Sequence, residues 1–515
     1  MKHFKKIAAL VFCAVIGMSC AAGFAGCGEG AGGNGEGNAE GTVMNDTFYN
    51  PLRLESGLGD PWMYKKDGYY YLTYSEGTQI SVTRSKWMTN MTADHGDETR
   101  TKVVVRQKAM NLVEIWAPEI FFLNGNWYIY FTATNDYGNN TDLKDAGRKT
   151  YCLKSKTDDA MGEWETSPTQ VKLPENQFRS IDATFMEYNN KQYVIWASWP
   201  YENHTQDYQQ DLCIAELEYN NPAKVVSPES KRVVISTPEY DWEKLGANQN
   251  EGPVVTFSPN GTPVLLYSGA FSGSDAYCIG YIVLDGSDKD PLNPESWTKG
   301  EKPLMETEEE IISPGHNSVV KSPDGTEDWI CYHSAKYSGA GWDRTLRLQK
   351  MTWDGDIPVV EHVYAYNEEA PMPSGEIVNR VKYEAEDAKF GEGCTVIDSV
   401  YENGDGTTSV AASGGKAVRV ADEGGIKFEV NVKKNGKYRI VLRYSNQAVS
   451  ATSVDITVNG TLYTLYTPKT PYDDTFCNNA FFCDLYLKPT GPNEITIVCD
   501  QNILIDCIVV DALEK

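Results

Sequence analysis

DPWMYKKDGYYYLTYS, at residues 60–75, begins with an acidic residue and continues as two alternating apolar and aromatic runs on either side of Lys66-Asp67-Gly68. Alternation predicts β-strands, and Asp-Gly supplies the positive φ angles of a tight hairpin, so the stretch predicts a strand–turn–strand unit. Four further units have this texture, with an acidic residue or a histidine at the start: PEIFFLNGNWYIYFTA (118–133), DATFMEYNNKQYVIWAS (182–198), EGPVVTFSPNGTPVLLYSG (251–269) and HNSVVKSPDGTEDWICYHS (316–334).

The leading residues Asp60, Glu119, Asp182, Glu251 and His316 are separated by 59, 63, 69 and 65 positions. Further short strands fit inside each period, and a repeat of this length and texture is typical of one propeller blade per unit. Because equivalent positions of the blades lie near a common axis, the repeat also predicts that acidic groups and a histidine meet at one place.

The composition indicates more than one domain. The chain has 515 residues, and its twelve tryptophans all lie between Trp62 and Trp353. Short alternating strands continue from residue 381, so the sequence predicts an all-β protein with a junction at 367–375. We expect a five-bladed β-propeller at 44–370 and a β-sandwich, or jelly-roll, domain at 376–515. The net charge of −26 argues against a nucleic-acid partner, which needs clustered Lys and Arg.

The N-terminus has the pattern of a targeting segment. Three lysines precede an apolar stretch that ends in small residues, and FAGC at 24–27 resembles a bacterial lipobox. We expect a lipoprotein signal peptide at 1–26, lipidation of Cys27, a glycine-rich tether at 27–43, and attachment to the bacterial cell surface. The alternative is an ordinary secretory signal. Contact with a membrane is expected only through this anchor.

The cysteines after Cys27 have no spacing typical of a disulfide scaffold or a zinc site. Cys152, Cys213, Cys278 and Cys331 each lie in an apolar run. The sequence therefore predicts buried free thiols at these positions.

Three of the carboxylates suit the hydrolysis of a glycosidic bond. This reaction needs one carboxyl group that protonates the leaving oxygen and a second that activates water or attacks the sugar. Asp60, Asp182 and Glu251 are the candidates, each at the start of an innermost strand. Taken alone, a carboxylate at such a position is more often a turn or capping residue.

The segment from about residue 50 to 365 resembles family 43 of the glycoside hydrolases. The resemblance is carried by GDPW (59–62), IWAPE (115–119), SIDAT (180–184), NEGP (250–253), PGHNS (314–318) and WDRTLRLQ (342–349). It implies a five-bladed propeller and an inverting reaction in which Asp60 is the general base, Glu251 the general acid, and Asp182 orients the acid and tunes its pKa. Inversion predicts carboxyl groups of Asp60 and Glu251 roughly 6.5–9.5 Å apart.

The resemblance and the residue types suggest further substrate contacts. Trp62, Trp116 and Trp199 suit stacking on a sugar face, and packing in the propeller core is an equal alternative. His316 is expected to shape the floor of the pocket, with a core histidine as the alternative. Arg344 matches a family arginine that contacts substrate, and for Arg347, an odd step away, a surface charge is the alternative. The family role of Glu119 is mainly structural.

The C-terminal region resembles a carbohydrate-binding module of the family 6/35 type. The motifs are YEAED (383–387), SGGKAV (413–418), LRYSN (442–446) and IDCIVV (505–510). The resemblance implies a structural calcium ion held by Glu384, Glu386 and Asp506, since hard oxygen ligands suit calcium; solvated edge charges are the alternative. The region lacks tryptophan, which leaves tyrosines such as Tyr444 and Tyr472 as candidate sugar platforms.

Within family 43, the segment most resembles the arabinofuranosidase-like members, including STPEYDWEKLG (236–246) before NEGP. The resemblance implies an exo-acting α-L-arabinofuranosidase that needs no cofactor for its chemistry. The expected substrates are plant cell-wall polysaccharides or oligosaccharides, namely arabinan and arabinoxylan. β-Xylosidase and endo-arabinanase are alternatives within the family, and a non-catalytic glycan-binding surface lipoprotein is the alternative from another class.

Overall fold

The structure is a computed structural model, and it describes residues 41–44, 47–55, 57–91, 99–200, 209–376, 379–402, 408–420, 425–482, 487–499 and 502–512. The expected signal peptide at 1–26 and Cys27 lie outside these residues. Within the described ranges, no helix combines the length and the apolar character needed to cross a membrane.

Two short strands, β1 (Thr42–Val43) and β2 (Thr47–Tyr49), precede five consecutive four-stranded antiparallel sheets. Sheets I and II contain β3 (Trp62–Lys66), β4 (Tyr69–Thr73), β5 (Gln79–Ser85), β6 (Thr99–Arg106), β7 (Val113–Leu123), β8 (Asn126–Thr134), β9 (Lys149–Lys154) and β10 (Thr169–Gln170). Sheet III contains β11 (Ser180–Tyr188), β12 (Lys191–Ser198), β13 (Asp211–Leu217) and β14 (Val233–Ser236). Sheets IV and V contain β15 (Asn250–Phe257), β16 (Pro263–Gly269), β17 (Cys278–Leu284), β18 (Trp297–Lys299), β19 (Ile312–Lys321), β20 (Asp328–Ala335), β21 (Arg344–Asp354) and β22 (Ile357–Val359).

Helical segments are short and lie in connections between strands. They are α1 (Gln107–Met110), α2 (Thr141–Ala146) and 3-10 turns at Asp241–Lys244, Pro294–Ser296 and Ser413–Gly415. The expected all-β class is therefore correct.

The five sheets form a closed ring. The first strands of consecutive sheets lie side by side, and β19 of sheet V lies beside β3 of sheet I. An apolar cluster fills the space between each pair of neighbouring sheets, including the pair V and I, where Met63 and Leu72 pack with Trp329 and Leu346. Burial of apolar area between all neighbours explains why twenty short strands hold together.

The turns within the repeat units have the predicted chemistry. Asp67 and Gly68 have φ of 51° and 77°, and Asn189 and Asn190 have φ of 51° and 59°. These are left-handed angles that Asn, Asp and Gly tolerate best, so the residue types determine where the chain reverses. The four cysteines predicted to be buried free thiols are confirmed as such.

The C-terminal region has two larger sheets that share one apolar core. One sheet contains β1, β24 (Asn379–Glu384), β26 (Thr395–Asp398), β29 (Lys416–Arg419), β31 (Tyr438–Asn446), β34 (Cys477–Phe482) and β36 (Ile503–Ala512). The other contains β25 (Lys389–Phe390), β30 (Ile426–Val430), β32 (Thr452–Val458), β33 (Thr461–Thr467) and β35 (Asn493–Val498). The remaining pairs join β2 to β23 (Glu369–Pro371) and β27 (Val400–Glu402) to β28 (Thr408–Val410).

The end of the expected tether at 27–43 is a strand. Thr42 and Val43 pair with Lys382 and Val381 of β24. Both residues are β-branched and suit a strand. Their pairing with β24 means that the chain joins the C-terminal sheet before it enters sheet I. The tether can therefore extend no further than residue 41.

Candidate active site

The candidate residues lie at one end of the ring. We call this end the site end. In each antiparallel sheet, the first and third strands begin at the site end and the second strand ends there. β-Bulges interrupt the first strands of four sheets, between Trp116 and Glu119, Ile181 and Thr184, Glu251 and Val254, and Gly315 and Asn317. Bulges redirect side chains out of the regular alternation, and here they direct polar groups toward the centre.

Three of the predicted site residues have left-handed backbone angles. φ is 52° at Asp60, 53° at Asp182 and 31° at His316. Such angles cost free energy for residues other than glycine, and they cluster at functional sites. Gly252, with φ of 53°, follows Glu251, and a Cβ atom there would lie 3.0 Å from the His316 ring. Close packing of backbone and side chains therefore fixes the centre.

Asp60 is surrounded by hydrogen-bonding groups and one arginine. The Ser75 hydroxyl donates to Oδ2 at 2.5 Å. On the other side, Oδ1 lies 3.3 Å from Nδ1 of His316 and 3.5 Å from Nη1 of Arg344. These neighbours suit a carboxylate that accepts hydrogen bonds.

His333 holds the backbone at Asp60. The Asp60 N–H donates to Nδ1 of His333 at 3.0 Å, so this nitrogen is an acceptor and the proton of the neutral ring is on Nε2. Burial lowers the pKa of His333 well below its ordinary value, with Arg344 and His316 acting in the same direction. The 3.5 Å approach of Nδ1 to Oδ1 of Asp60 is therefore not an ion pair.

Asp182 is buried between sheets III and IV. Its Oδ2 accepts the Gly252 N–H at 3.1 Å, and its own N–H donates to the Thr132 hydroxyl at 3.1 Å. Burial, and then the charge of Asp60, raise the pKa of Asp182 to about 7.

Glu251 accepts hydrogen bonds from neutral donors. The Gln210 amide donates to Oε2 at 2.6 Å, and the Tyr277 hydroxyl donates to Oε1 at 2.9 Å. Burial raises the pKa of Glu251 and the charge of Asp182 raises it further, partly opposed by Arg179. Glu251 is thus suited to hold a proton where an exposed glutamate would have lost it.

A buried network supports the residue before Glu251. Oε1 of Glu243, a fully buried side chain, accepts hydrogen bonds from Asn250 Nδ2 at 2.7 Å and Tyr267 at 2.8 Å, and Lys299 Nζ lies 2.7 Å away. The other carboxylate oxygen accepts the N–H groups of residues 239 and 240. The network ties the 3-10 turn at 241–244 to the start of β15.

The three tryptophans proposed to stack on sugar are held in protein contacts. Trp62 is half-buried and donates from Nε1 to the Ile120 carbonyl at 2.8 Å. The Arg148 guanidinium lies 3.2 Å from the centre of the Trp116 ring and covers one face. Trp199 is 5% exposed, with Arg179 over its ring. These contacts favour the packing interpretation for Trp199 most.

The two arginines of the WDRTLRLQ motif have different surroundings. Arg344 lies at the site beside Asp60. Arg347 is fully buried, donates to the Tyr364 carbonyl, and stacks over Tyr366 at 4.6 Å. The alternative of a surface charge at Arg347 is wrong: the two positions are an odd number of residues apart on β21, and the face that carries Arg347 is covered by the chain after β22.

Glu119 is buried and takes no part in the hydrogen bonds described above. Neither of its carboxyl oxygens is aligned for a hydrogen bond with a described residue. Burial raises the pKa of Glu119 well above its usual range, partly opposed by the nearby Thr184 hydroxyl. A neutral structural residue fits these surroundings.

The expected calcium ligands lie close together in the C-terminal region. A Cβ on Gly414 would lie 3.2 Å from Oε1 of Glu386 and 4.0 Å from Oε1 of Glu384, and Ser413 contacts both Glu384 and Asp506. Oε2 of Glu384 and Oε2 of Glu386 are buried without a described hydrogen-bond partner. Unsatisfied carboxylate oxygens fit a hard cation.

Cys507 also lies within 4.8 Å of ligand atoms of Glu384 and Asp506. Burial raises the pKa of the Cys507 thiol well above its usual range, with Asp506 and Glu384 adding to the effect. A neutral thiol is a poor calcium ligand. Tyr444, one of the candidate sugar platforms, is fully buried and donates to the Pro468 carbonyl, so it offers no face to a glycan.

The structure adds contacts at the centre that the sequence analysis missed. Gln210, Tyr277, His333 and Ser75 contact the predicted carboxylates from loops or second strands. His333 had one available signal, since it is the next-to-last residue of the fifth repeat unit in a chain with six histidines. No pattern in the sequence distinguishes Gln210 or Tyr277 from other polar loop residues.

A family model described as glycosyl hydrolases family 43 matches residues 49–358. An extracellular exo-α-(1→5)-L-arabinofuranosidase of Streptomyces avermitilis is 34% identical over 339 residues, which are 62% of this chain and 65% of the relative. The chain thus spans just under two thirds of that relative's length. A protein of the same name from Streptomyces chartreusis is 30% identical over 299 residues, covering 56% of this chain and 83% of the relative.

Among solved structures, an α-L-arabinofuranosidase from Lactobacillus brevis superimposes with a TM-score of 0.53 at 28% identity. The match covers 62% of this chain and 98% of that structure. It has the extent expected for the ring of five sheets without the C-terminal region.

Proposed function

The chain belongs to family 43 of the glycosyl hydrolases, and from this premise we propose that it is an inverting exo-glycoside hydrolase that releases α-L-arabinofuranosyl units from arabinan or arabinoxylan. Relatives and a structural neighbour named as arabinofuranosidases support the choice of sugar. The observation that carries the proposal is the contrast between two acids at one centre. Glu251 is surrounded by neutral donors, whereas Asp60 lies beside Arg344.

In the proposed reaction, Glu251 donates its proton to the glycosidic oxygen as the bond to the anomeric carbon breaks. Asp60 accepts a proton from a water molecule whose oxygen attacks that carbon from the opposite face. The products are a free sugar of inverted configuration and a shortened chain. Asp182 accepts the Gly252 N–H beside Glu251, and the ionised form of Asp182 raises the pKa of Glu251.

We propose that the ring of sheets I–V is a five-bladed β-propeller, since its first strands meet around one centre and sheet V closes on sheet I. The two C-terminal sheets would then be the β-sandwich of a carbohydrate-binding-module-like domain. In that domain Glu384, Glu386 and Asp506 would hold calcium, which would neutralise neighbouring carboxylates and stabilise the fold. A rise in melting temperature on adding calcium, absent in E384Q/E386Q, is the expected result. Equal melting with calcium and with a chelator would contradict it.

We also propose export and attachment to the cell surface through a lipid on Cys27, where the chain would meet plant cell-wall polysaccharide. Relatives named as extracellular support export. Mass spectrometry of the mature N-terminus tests the anchor, because a lipidated cysteine has a characteristic added mass. An unmodified residue at the N-terminus would exclude it.

The activity is tested by parallel rates on aryl α-L-arabinofuranoside, aryl β-D-xyloside and linear arabinan, with NMR of the first-formed anomer. We expect the arabinofuranoside to be cleaved faster than the xyloside, single arabinose units to be released from arabinan, and inversion at the anomeric carbon. A faster xyloside reaction would replace the proposed substrate. Binding without cleavage of any of the three would favour a glycan-capture protein.

A further inference from the structure

An aromatic pair with one exposed ring lies at the site end, in loops of sheets IV and V. All twelve tryptophans fall in the described residues, and Trp342 alone among them is exposed, with 61% of its surface accessible. Its ring packs edge-to-face with Phe271, at a centroid distance of 5.8 Å and an interplanar angle of 79°. Phe271 belongs to the β16–β17 loop and Trp342 to the β20–β21 loop. We call these two side chains the aromatic platform.

The two loops are joined, so the platform exists before any ligand arrives. The Asp275 carboxylate accepts a hydrogen bond from the Ser338 hydroxyl at 2.6 Å and from the Gly339 N–H at 2.9 Å. A Cβ on Gly273 would lie 2.9 Å from the Phe271 ring and 3.0 Å from the Trp342 ring, so the close approach of the rings needs glycine. A preformed surface loses little conformational entropy when it binds.

Ser272 connects the platform to the candidate active site. Its carbonyl accepts a hydrogen bond from Nη2 of Arg344 at 2.6 Å, while its hydroxyl lies 3.4 Å from Nε1 of Trp342. Nη1 of the same guanidinium group lies 3.5 Å from Oδ1 of Asp60. One arginine thus joins the platform to the proposed general base.

The β16–β17 loop also leads to the proposed general acid. Phe271 is its second residue after β16, and Tyr277, its last residue, donates to Glu251 at 2.9 Å. The acid must touch the glycosidic oxygen, so the sugar that leaves has to lie on this side of the centre. Phe271, which packs against the exposed Trp342 ring, lies near the other end of the same loop.

We infer that the aromatic platform binds the sugar unit on the leaving-group side of the scissile bond, and that Trp342 therefore favours oligosaccharides over substrates with a small aglycone. The inference rests on the proposed function. The flat, apolar indole face matches the C–H face of a sugar ring, and Phe271 fixes the angle of the indole. Trp342 is a specificity-determining residue in this scheme and takes no part in proton transfer.

The test compares α-1,5-linked arabinotriose with methyl α-L-arabinofuranoside, whose aglycone is a single carbon too short to reach the platform. For W342A we expect kcat/KM on arabinotriose to fall about tenfold. On the methyl glycoside it should change less than about twofold. W342F should retain most of the activity on arabinotriose, and F271A should lower it through loss of the fixed ring angle.

Tyr219 provides a matched control, because it is also 61% exposed and lies after β13 at the opposite end of the ring. Y219A should leave both rates unchanged, and circular dichroism checks that each variant is folded. Equal loss on the two substrates, or no loss on arabinotriose, would overturn the platform while leaving the hydrolase intact. If wild-type protein cleaves neither substrate, the proposed function fails and the inference fails with it.

Discussion

Buried carboxyl groups occur in two regions of this protein, and they have different kinds of partner. At the centre of the ring, Glu251 and Asp182 accept hydrogen bonds from an amide, a hydroxyl and a backbone N–H. In the C-terminal region, the fully buried Asp511 faces Arg439 and Arg380, whose Nε atoms lie 2.7 and 3.2 Å away. In the described part of the chain, neither Asp182 nor Glu251 forms an ion pair.

The difference separates acids that can exchange a proton from acids that hold structure. Neutral donors satisfy a carboxyl oxygen without fixing a negative charge, so burial can raise the pKa. Arginine partners favour the ionised form, and removal of one partner leaves buried charges uncompensated. The first region should therefore tolerate neutral substitutions without unfolding, and the second should not.

The largest effect is expected for E251Q. Removal of a general acid typically costs about 10²–10⁴ in rate, so kcat/KM on arabinan should fall by that order. The melting temperature should stay the same or rise, because Gln210 has a buried oxygen without a described partner that can accept from the new amide. Rate assays and thermal unfolding on the same preparation measure both. Wild-type activity in E251Q would exclude Glu251 as the acid.

The opposite outcome is expected for D511N. This change removes the negative charge that the guanidinium groups of Arg380 and Arg439 face, at a cost of about 3–5 kcal/mol in the free energy of unfolding. Activity per folded molecule should remain, since Asp511 is outside the ring. Denaturant unfolding and active-site normalised rates provide the measurements.

D455N is the matched control for D511N, because Asp455 is an exposed residue of the same region that accepts the Thr464 hydroxyl at 2.8 Å. Its effect should stay within about 0.5 kcal/mol. Similar losses of unfolding free energy in D455N and D511N would show that the arginine partners of Asp511 do not account for the cost of D511N.

The sequence predicts the acids of the centre better than their partners. The repeat fixes the register of Asp60, Asp182 and Glu251 because each precedes a hairpin whose turn residues impose the reversal. Tyr277 and Gln210 approach from other connections, whose paths depend on packing between sheets. A one-dimensional pattern has no signal for that packing.

The same limit explains the errors away from the centre. Arg347 looks like a surface charge in sequence because an isolated arginine usually is one. Its burial depends on Tyr366, which returns from beyond sheet V. Likewise, the strand at Thr42–Val43 depends on an open edge of β24 more than 330 residues later, which no local composition reports.

A third, smaller effect is expected in the pH dependence of D182N. The charge of Asp182 raises the pKa of Glu251, so its removal should lower that pKa and move the alkaline limb of kcat/KM to lower pH. D211N is the control: Asp211 is buried at the start of a strand at the site end but does not contact Glu251. Its alkaline limb should match that of the wild type. If the alkaline limb of D182N also matches that of the wild type, the charge of Asp182 does not raise the pKa of Glu251.

The pH dependence of stability should change in the same variant. Asp182 has a folded-state pKa of about 7 against an ordinary value of 3.8. The folded state therefore binds the proton of Asp182 more tightly than the unfolded state does. The resulting contribution to the free energy of unfolding is complete below about pH 4 and is lost as the pH rises through about 7. D182N should flatten the fall in melting temperature between about pH 4 and 7. An unchanged slope would assign the fall to other groups.

The smallest effect is expected for E119Q. Glu119 and Glu251 lie at equivalent positions of the repeat, so the effects of E119Q and E251Q can be compared directly. Glu119 is 2% exposed, and burial raises its pKa well above the usual range, which favours the neutral form. Glutamine has the same shape and charge, and the buried Thr184 hydroxyl can accept from its amide. The change in unfolding free energy should stay below about 1 kcal/mol, and kcat/KM should change less than about threefold. A loss of activity as large as that of E251Q would place Glu119 in the proton transfer. The position of an acid in the repeat would then matter more for reactivity than the hydrogen-bond donors around it.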